Sequence, residues 1–396
     1  MEAISNIRHT GRAGSFEFVR EEKVERVRHL RVCMPTWRRF ANKAYHCGWY
    51  QAEDVFSDCD DVELVAVEPG DRFRTVERWH RRLVWRDISK RLAYVNPGLR
   101  STRLTTDYDL LFVHCQTWWE LFYLNAIDGW RDHCKTSVCW IEEMWASELP
   151  HYKHWIKSLK RFDHVLLGLA GSVKPVSEAI EKQCHYLPTA VDALRFTPYP
   201  TPPARVIDVY SLGRRQEKVH QSLLRLAETG KIFYLYDTIQ SGKSTAPDYR
   251  QHRELLANLA KRSRYFVVAP AKVDSPGETQ GQIEIGLRYY EASAAGAIML
   301  GQSADCESFR RMFGWPDSVI EIKPDGSDVT DILKSLSGEP DRLSEISRRN
   351  AAEALRRHDW AYRWTDVLDI AGLKPAPALQ ARKHRLRELA NCALPE

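Results

Sequence analysis

Residues 281–301 read GQIEIGLRYYEASAAGAIMLG and place a glycine-bearing loop, a helix and a strand in close succession. The helix is predicted to begin near Gly286 and to end at Gly296, and the apolar run after it is predicted to be a strand. In an open α/β sheet, helix N-termini near the carboxyl ends of strands offer unpaired N–H groups to anions. The segment therefore predicts a Rossmann-like unit with an anion-binding loop.

Two charged residues of this helix are candidate ligand contacts. Glu291 lies one turn after Arg288. A carboxylate at this place can accept hydrogen bonds from both hydroxyls of a ribose, while the arginine can reach a phosphate or orient the carboxylate. An ordinary surface salt pair has the same spacing, so the residues alone leave both interpretations open.

The rest of the chain repeats this alternation on both sides of a break. Residues 196–203, FTPYPTPP, hold four prolines, which exclude a helix or a central strand and predict a domain linker. Short apolar runs predict strands before the linker at 30–34, 62–67, 107–114, 137–141 and 164–169, and after it at 206–212, 232–236, 265–269 and 297–300. Amphipathic stretches predict helices at 118–130, 216–228, 248–260, 287–295, 341–357 and 360–370.

This pattern predicts an α/β protein with two Rossmann-like domains that face each other across a cleft. We place them at residues 1–198 and 199–375 and predict a basic helical tail at 376–396. The length of 396 residues also favours two domains over one.

Composition limits the classes of partner. The formal charge is +5, from 58 basic and 53 acidic residues that are interspersed, which predicts no nucleic-acid partner. No apolar run reaches the ~20 residues that span a bilayer, so we expect membrane contact to be peripheral at most. The nine cysteines form no CxxC pair and no secretory segment opens the sequence, which predicts a cytoplasmic protein without a metal site.

The run RYYEASAAGAIML at residues 288–300 resembles the signature of GT-B glycosyltransferases of the group-1, GT4-like type, in particular their CgeB-like branch. Three further segments resemble parts of that family in the same order: YLPTAVDALRFTP at 186–198, DVYSLGRRQEK at 208–218 and RHDWAYRWTDVL at 357–368. The resemblance covers most of the second half of the chain and little of the first. It implies a GT-B fold, with a nucleotide-sugar donor bound by residues 199–375 and the acceptor by residues 1–198.

The resemblance also implies roles in donor binding. Glu291 matches the glutamate that binds the donor ribose, and Arg288 accompanies it. Gly281 and Gly286 match the loop against which the nucleotide lies, and Arg215 lies beside the diphosphate-binding turn.

Three residues are implied to act in catalysis. Arg214 and Lys218 match an Arg and a Lys that stabilise the charge on the leaving pyrophosphate, although Lys218 is one residue closer than is usual. Solvated loop bases are the alternative. His114 matches a histidine near the donor sugar, and a strand-end histidine bonded to the backbone is the alternative there.

The sequence also departs from the family pattern. Ile283 stands where the family has a first carboxylate, so either the adjacent Glu284 replaces it or that carboxylate is absent. Residues 35–39, PTWRR, replace the usual Gly-Gly loop. Glu142, Glu143 and Trp145 follow a predicted strand and form either a sugar-binding pairing of carboxylate and indole or part of the core.

The resulting expectation is a metal-independent, retaining hexosyltransferase that needs no cofactor and uses a nucleotide sugar and an unknown acceptor, which is a small molecule, a glycan or a protein. A GT-B protein that binds a nucleotide sugar or glycan without transfer is the first alternative, and a sugar-nucleotide epimerase is the second. A general NAD enzyme is disfavoured because no GxGxxG follows the first strand of either half.

Overall fold

The computed structural model describes residues 30–238 and 244–395, so the first 29 residues of the predicted N-terminal domain lie outside the described residues. The first half of the described chain forms a six-stranded sheet. Its strands are β1 Arg31–Thr36, β2 Asp61–Ala66, β3 Tyr108–Thr117, β4 Cys134–Glu143, β5 His164–Leu167 and β6 Cys184–Tyr186. They lie in the order β6-β5-β4-β3-β1-β2, and every pairing is parallel.

A second, five-stranded sheet follows the proline-rich segment. Its strands are β7 Ile207–Ser211, β8 Tyr234–Tyr236, β9 Ser263–Val268, β10 Ile298–Gly301 and β11 Val319–Glu321. They lie in the order β8-β7-β9-β10-β11, again with every pairing parallel. Residues 197–206 form neither helix nor strand. The predicted α/β class and the restart of the pattern after the prolines are confirmed.

Helices connect the strands and cover both sheets. The α-helices are α1 Cys47–Cys59, α2 Phe73–Trp85, α3 Trp130–His133, α4 Val173–Ile180, α5 Ala193–Phe196, α6 Glu217–Glu228, α7 Tyr249–Lys261, α8 Pro276–Thr279, α9 Leu287–Ala294, α10 Glu307–Phe313, α11 Val329–Ser337, α12 Pro340–Arg357, α13 Trp360–Ile370 and α14 Pro377–Ala393. The 3₁₀ helices are Ala44–His46, Lys90–Tyr94, Trp118–Ala126, Ala146–His151, Trp155–Arg161 and Ala170–Ser172. Two short strand pairs join Glu68–Pro69 to Leu99–Arg100 and Thr102–Arg103 to Ile127–Asp128. Among the helices that the structure describes, none is both long enough and apolar enough to span a bilayer.

The helix predicted at 118–130 is a 3₁₀ helix that ends earlier, at Ala126. The carboxylate of Glu120 turns back to accept hydrogen bonds from the N–H groups of Gln116 and Thr117, which fixes the tight entry of this segment. A strand pairing follows at once, and Gly129 turns the chain with a φ of 78°. These local bonds prevent one continuous α-helix from forming.

The end of the chain returns to the first half of the molecule. Trp364 of α13 stacks on Phe56 of α1 with ring centroids 4.7 Å apart, and its indole N–H donates to Asp60 at 2.6 Å. Trp360 contacts Trp49 edge to face. Since α13 is covalently continuous with the second half, this packing joins the two walls of the cleft.

The predicted C-terminal helix is present as α14, but it does not lie as a peripheral tail. Leu379 and Leu386 are fully buried, and α14 packs against α12 and α1. Arg382 pairs with Asp192 at 2.7 Å and with Asp359 at 2.8 Å. The basic composition of the helix suggested an exposed tail, but one of its arginines, Arg382, points inward to two carboxylates.

Candidate active site

A cavity of about 510 Å³ lies between the two sheets. Many residues on its walls lie at or just after the carboxyl ends of strands from both halves. On one side they follow β3, β4 and β5, and on the other they follow β7, β8, β9 and β10. Ligands of parallel α/β sheets bind at this edge of the strands, so each half presents its ligand-binding edge to the same cavity.

The turn after β7 forms one wall of the second half. Gly213 has a φ of 81°, and its N–H donates to both carboxylate oxygens of Asp237 at 3.2 Å. Arg288 reaches this turn from α9 and donates from Nε to the carbonyl of Leu212 at 3.2 Å. A Cβ at position 213 would lie 3.3 Å from Nη2 of Arg288, so glycine leaves room for the guanidinium.

Gly286 places the first turn of α9 on the cavity wall, together with Leu287 and Arg288. A Cβ on this glycine would lie 2.8 Å from the carbonyl oxygen of Ala269, so the backbone approaches here only because the side chain is absent. Gly281 is not among the lining residues of the described chain, and space is open around it. Of the two predicted loop glycines, the structure brings only Gly286 to the cavity.

Arg214 and Arg215, the predicted diphosphate contacts, both line the cavity. Arg214 pairs with Asp274 at 2.6 Å and donates to the hydroxyl of Ser275 at 3.1 Å. Arg215 donates to the carbonyl of Asp237 at 2.7 Å. Arg214 is thus held by the loop that follows β9, and Arg215 by the end of β8.

Lys218 does not reach the cavity. The helix α6 begins at Glu217, which puts Lys218 on its exposed face and turns Val219 inward. The lysine of the cavity is instead Lys272, which follows β9. Its ammonium pairs with Glu143 at 3.2 Å and with Glu278 at 3.0 Å, and it lies 4.9 Å from the ring centroid of Trp145. Lys272 opens the glycine-containing loop after β9, and that position was the only signal in the sequence.

Glu291 is completely buried, and its carboxylate forms ion pairs with Arg288 and Arg253. Burial by itself would raise the pKa of Glu291, but the two guanidinium groups outweigh burial and lower the pKa. The two arginines line the cavity and Glu291 lies behind them. Glu291, which was predicted to bind the donor ribose, is therefore in position to orient the two arginines. Arg253 is a site residue that the sequence pattern did not identify.

Glu284 bridges the two halves instead of facing a donor sugar. Its carboxylate accepts hydrogen bonds from the N–H groups of Ala170 at 3.0 Å and Gly171 at 2.7 Å, at the start of the helical segment that leads into α4. The amide of Gln282 donates to it at 2.7 Å. Since its oxygens are used in this way and Glu284 is only 1% exposed, the prediction that it replaces the missing carboxylate is not supported.

His114 lies behind the cavity wall. Its ring stacks on Trp49 with centroids 3.1 Å apart, and its Nε2 is 3.4 Å from a carboxylate oxygen of Glu142. Burial holds the pKa of His114 well below its usual range, so the ring is neutral. Trp49 and Glu142 line the cavity, whereas His114 is not among its described lining residues, so direct contact with a sugar is not what the structure shows.

Glu142, Glu143 and Trp145 line the first-half side of the cavity. The indole N–H of Trp145 donates to Glu143 at 3.0 Å, which forms the pairing of carboxylate and indole that the sequence suggested. Burial raises the pKa of Glu142 to about 7. The cavity therefore holds a carboxyl group that can exchange a proton near neutral pH.

The charge of the cavity is divided between its two sides. Among its described lining residues, the second half contributes five basic side chains and the first half two of the three carboxylates. These residues are Arg214, Arg215, Arg253, Lys272 and Arg288, with Glu142, Glu143 and Asp237. In the described parts of the chain, His, Cys, Asp and Glu side chains nowhere group in threes in a way that would hold a metal ion. A ligand with an anionic part and a hydroxyl-bearing part matches this division.

Comparisons with known proteins agree with this architecture. Two solved structures each match 87% of this chain at 12% sequence identity. One is an α,α-trehalose-phosphate synthase (UDP-forming) from Burkholderia vietnamiensis, matched over 100% of its chain with a TM-score of 0.54. The other is an α-glucosyltransferase in complex with UDP-glucose and DNA containing an abasic site, matched over 99% of its chain with a TM-score of 0.52. This chain has the GT-B fold. Its GT-B neighbours confirm the predicted arrangement of two Rossmann-like units. No curated protein matches the chain.

The second half of this GT-B protein also matches a family model. Residues 248–369 match a family described as glycosyl transferase-like. The matched region contains α7, α9 and the loop after β9, and so supplies Arg253, Lys272 and Arg288 to the cavity. The family match and the fold together support a glycosyltransferase.

Proposed function

We propose that this protein transfers a sugar from a nucleotide-sugar donor, bound by the second half, to an acceptor bound by the first half. The observation that carries the proposal is the group of basic side chains on the second-half wall of the cavity, beside the first turn of α9. A helix N-terminus and fixed guanidinium groups form a site for a diphosphate.

The cations have a role in the reaction as well as in binding. The bond between the anomeric carbon and the diphosphate oxygen breaks, and its electron pair passes to that oxygen. The acceptor hydroxyl oxygen forms the new bond and passes its proton to the carboxylate of Glu142, which lines the same cavity. Negative charge therefore grows on the leaving diphosphate. Arg214, Arg215 and Lys272 stabilise that charge most where it develops, so the proposed transfer requires no metal and no cofactor.

The finer features of the proposal follow the resemblance of residues 288–300 to GT4-like enzymes. We assign the protein to their CgeB-like branch, as a cytoplasmic hexosyltransferase that retains anomeric configuration. Glu142, Glu143 and Trp145 offer the acceptor two carboxylates and an indole, which suits a hydroxyl-bearing molecule with an apolar face.

Nucleotide binding tests the donor site directly. Isothermal titration of the purified chain with UDP, GDP, ADP and TDP should show one preferred nucleotide. Arg214→Ala should weaken its affinity about tenfold or more, since a charge-assisted contact to phosphate is lost. Lys218→Ala is the matched control, because this exposed lysine lies four residues further on and outside the cavity. Equal losses in both variants, or no nucleotide binding, would remove the basis for the proposal.

A GT-B protein that binds a nucleotide sugar without transferring it is the second candidate. Ile283 occupies the position of the missing carboxylate and is 42% exposed, and Glu284 is committed to the backbone of the other half. Release of free nucleotide from the preferred donor separates the two functions. Tight donor binding without any release, with or without acceptors, would favour the binding protein.

A further inference from the structure

The apolar surface of helix α2 extends beyond the face that packs on the core. Phe73, His80 and Val84 face the core, where the ring of His80 packs edge to face on Phe122. On the flank beside that face, Val76, Trp79 and Leu83 follow one another at spacings of three and four residues and are 40%, 56% and 37% exposed. A surface helix normally buries its apolar residues and leaves polar ones in water, so an exposed apolar stripe of this size needs another explanation.

Two further large apolar side chains are exposed in the segment after the helix. Ile88 is 61% exposed, and Tyr94, in the 3₁₀ helix Lys90–Tyr94, is 59% exposed. That 3₁₀ helix is fixed to α2 by a 2.8 Å contact between Nε2 of His80 and the carbonyl of Leu92. We call Val76, Trp79, Leu83 and Ile88 the α2 stripe.

Arginines flank the α2 stripe on the same helix. Arg82 places its guanidinium carbon 5.3 Å from the ring centroid of Trp79. The flanking group consists of Arg72, Arg78, Arg82 and Arg86, all exposed. Within residues 30–238 and 244–395, none of these four has a carboxylate at ion-pair distance, whereas the neighbouring Arg81 pairs with Glu77 at 3.3 Å. Their charge is therefore available to an anionic partner.

The segment that contains the α2 stripe has a large excess of basic residues. Residues 71–91 contain eight basic and three acidic residues, a net charge of +5, which equals the formal charge of all 396 residues. The remaining residues are neutral overall. An excess this local produces a field at one surface rather than around the whole molecule.

We propose that α2 and the turn after it dock the protein on an anionic lipid surface. Insertion of tryptophan and aliphatic side chains at the level of the headgroups, with arginines beside them, is the arrangement by which interfacial helices bind membranes. A nucleic acid would engage the arginines but would leave the aliphatic side chains of Val76, Leu83 and Ile88 in water. The lipid surface is the partner that uses both parts of the patch.

Vesicle binding tests this proposal without any nucleotide sugar, so its failure and that of the proposed transfer are distinguishable. The full chain is sedimented with vesicles of phosphatidylcholine alone or with about 30% phosphatidylglycerol, and we expect about tenfold tighter binding to the anionic vesicles. Trp79→Ser/Leu83→Ser should weaken this binding about tenfold. Arg78→Glu/Arg82→Glu should abolish the preference for anionic vesicles.

Two control variants change the same chemistry elsewhere. Phe233→Ser replaces an apolar side chain that is 53% exposed in the second half, and Lys334→Glu/Arg348→Glu reverses two exposed charges there. Both should bind anionic vesicles like the unchanged chain, and all variants should keep its Tm. No binding to anionic vesicles, or equal binding by the stripe and control variants, would overturn the proposal. Displacement from vesicles by duplex DNA, with DNA affinity unchanged in Trp79→Ser/Leu83→Ser, would overturn it in favour of a nucleic-acid surface.

Discussion

The guanidinium of Arg253 on α7 and the carboxylate of Glu291 on α9 form an ion pair in which neither side chain is more than 3% exposed. Arg253 also donates to the side-chain oxygen of Gln51 on α1, at 3.2 Å from Nε and 3.1 Å from Nη2. The helix that carries Glu291 is therefore tied through Arg253 to the first half of the molecule. Any change at Glu291 acts on stability as well as on the donor site.

Glu291→Ala should lower the free energy of unfolding by about 3–5 kcal/mol, because it leaves the charge of Arg253 buried without its partner. Urea unfolding measures this directly. Glu345→Gln is the control, since it removes an i,i+4 pair with Arg349 in which Glu345 is 54% exposed, and it should change the free energy of unfolding by at most about 0.5 kcal/mol. Similar effects of the two substitutions would show that the buried pair does not stabilise the fold.

Gly286→Ala should weaken nucleotide binding about tenfold or more, because the added Cβ collides with the carbonyl of Ala269 and moves the first turn of α9 away from the phosphates. Gly277→Ala is the matched control in the same loop region, where no atom lies within 4 Å of the added Cβ. Titration with the preferred nucleotide compares the two. Undiminished affinity in Gly286→Ala would mean that the turn tolerates the shift or lies away from the donor.

Arg382→Ala should lower the free energy of unfolding by about 3–5 kcal/mol, because Asp192 and Asp359 would lose their shared cation in a buried site. Arg385→Ala, one turn further along α14, removes an exposed pair with Glu388 and should cost at most about 0.5 kcal/mol. Thermal and urea unfolding of both variants separate a helix that is part of the core from a detachable tail. Equal stability would favour the tail.

Nine of the eleven strands in the two sheets were predictable, because each of them is a short apolar run between polar turns. The helix Trp360–Ile370 has the bounds that its pattern predicted. The strands Cys184–Tyr186 and Val319–Glu321 were not predicted, since each has only three residues, too few to show a period. Periodicity does not show which elements pack against each other. The return of α13 and α14 to the first half depends on tertiary contacts of Trp364 and Arg382, which no local pattern reveals.

The sequence predicted which residues reach the cavity where a residue directly follows a strand. It could not predict this where the position depends on the rotation of a helix or on a loop from a distant part of the chain. Arg214, Arg215 and Gly286 reach the cavity because β7 and the helix start at Leu287 place them there. The prediction for Lys218 was wrong because the rotation of α6 turns Val219 toward the cavity and leaves Lys218 on the exposed face. The positions of Lys272, Arg253 and Glu284 depend on how the halves meet.

The half-buried carboxyl of Glu142 makes the stability of the protein depend on pH. Burial raises its pKa from 4.5 to about 7 in the folded chain. As the pH rises from about 4.5 to about 7, the unfolded chain loses this proton first and binds fewer protons than the folded chain. The free energy of unfolding therefore falls with rising pH across this window, since the slope has the sign of the difference in protons bound between unfolded and folded states.

Glu142→Gln should flatten that decline, because glutamine carries no titrating proton while it keeps the size of the side chain. We expect the variant to gain on the order of 2 kcal/mol over the unchanged chain between about pH 5 and about pH 8. Urea unfolding at a series of pH values gives the two slopes, and Glu143→Gln controls for the loss of one charge on the adjacent residue. Parallel curves for Glu142→Gln and the unchanged chain would mean that another group titrates in this window, and the neutral-pH proton exchange assigned to the acceptor side of the cavity would then have to come from that group.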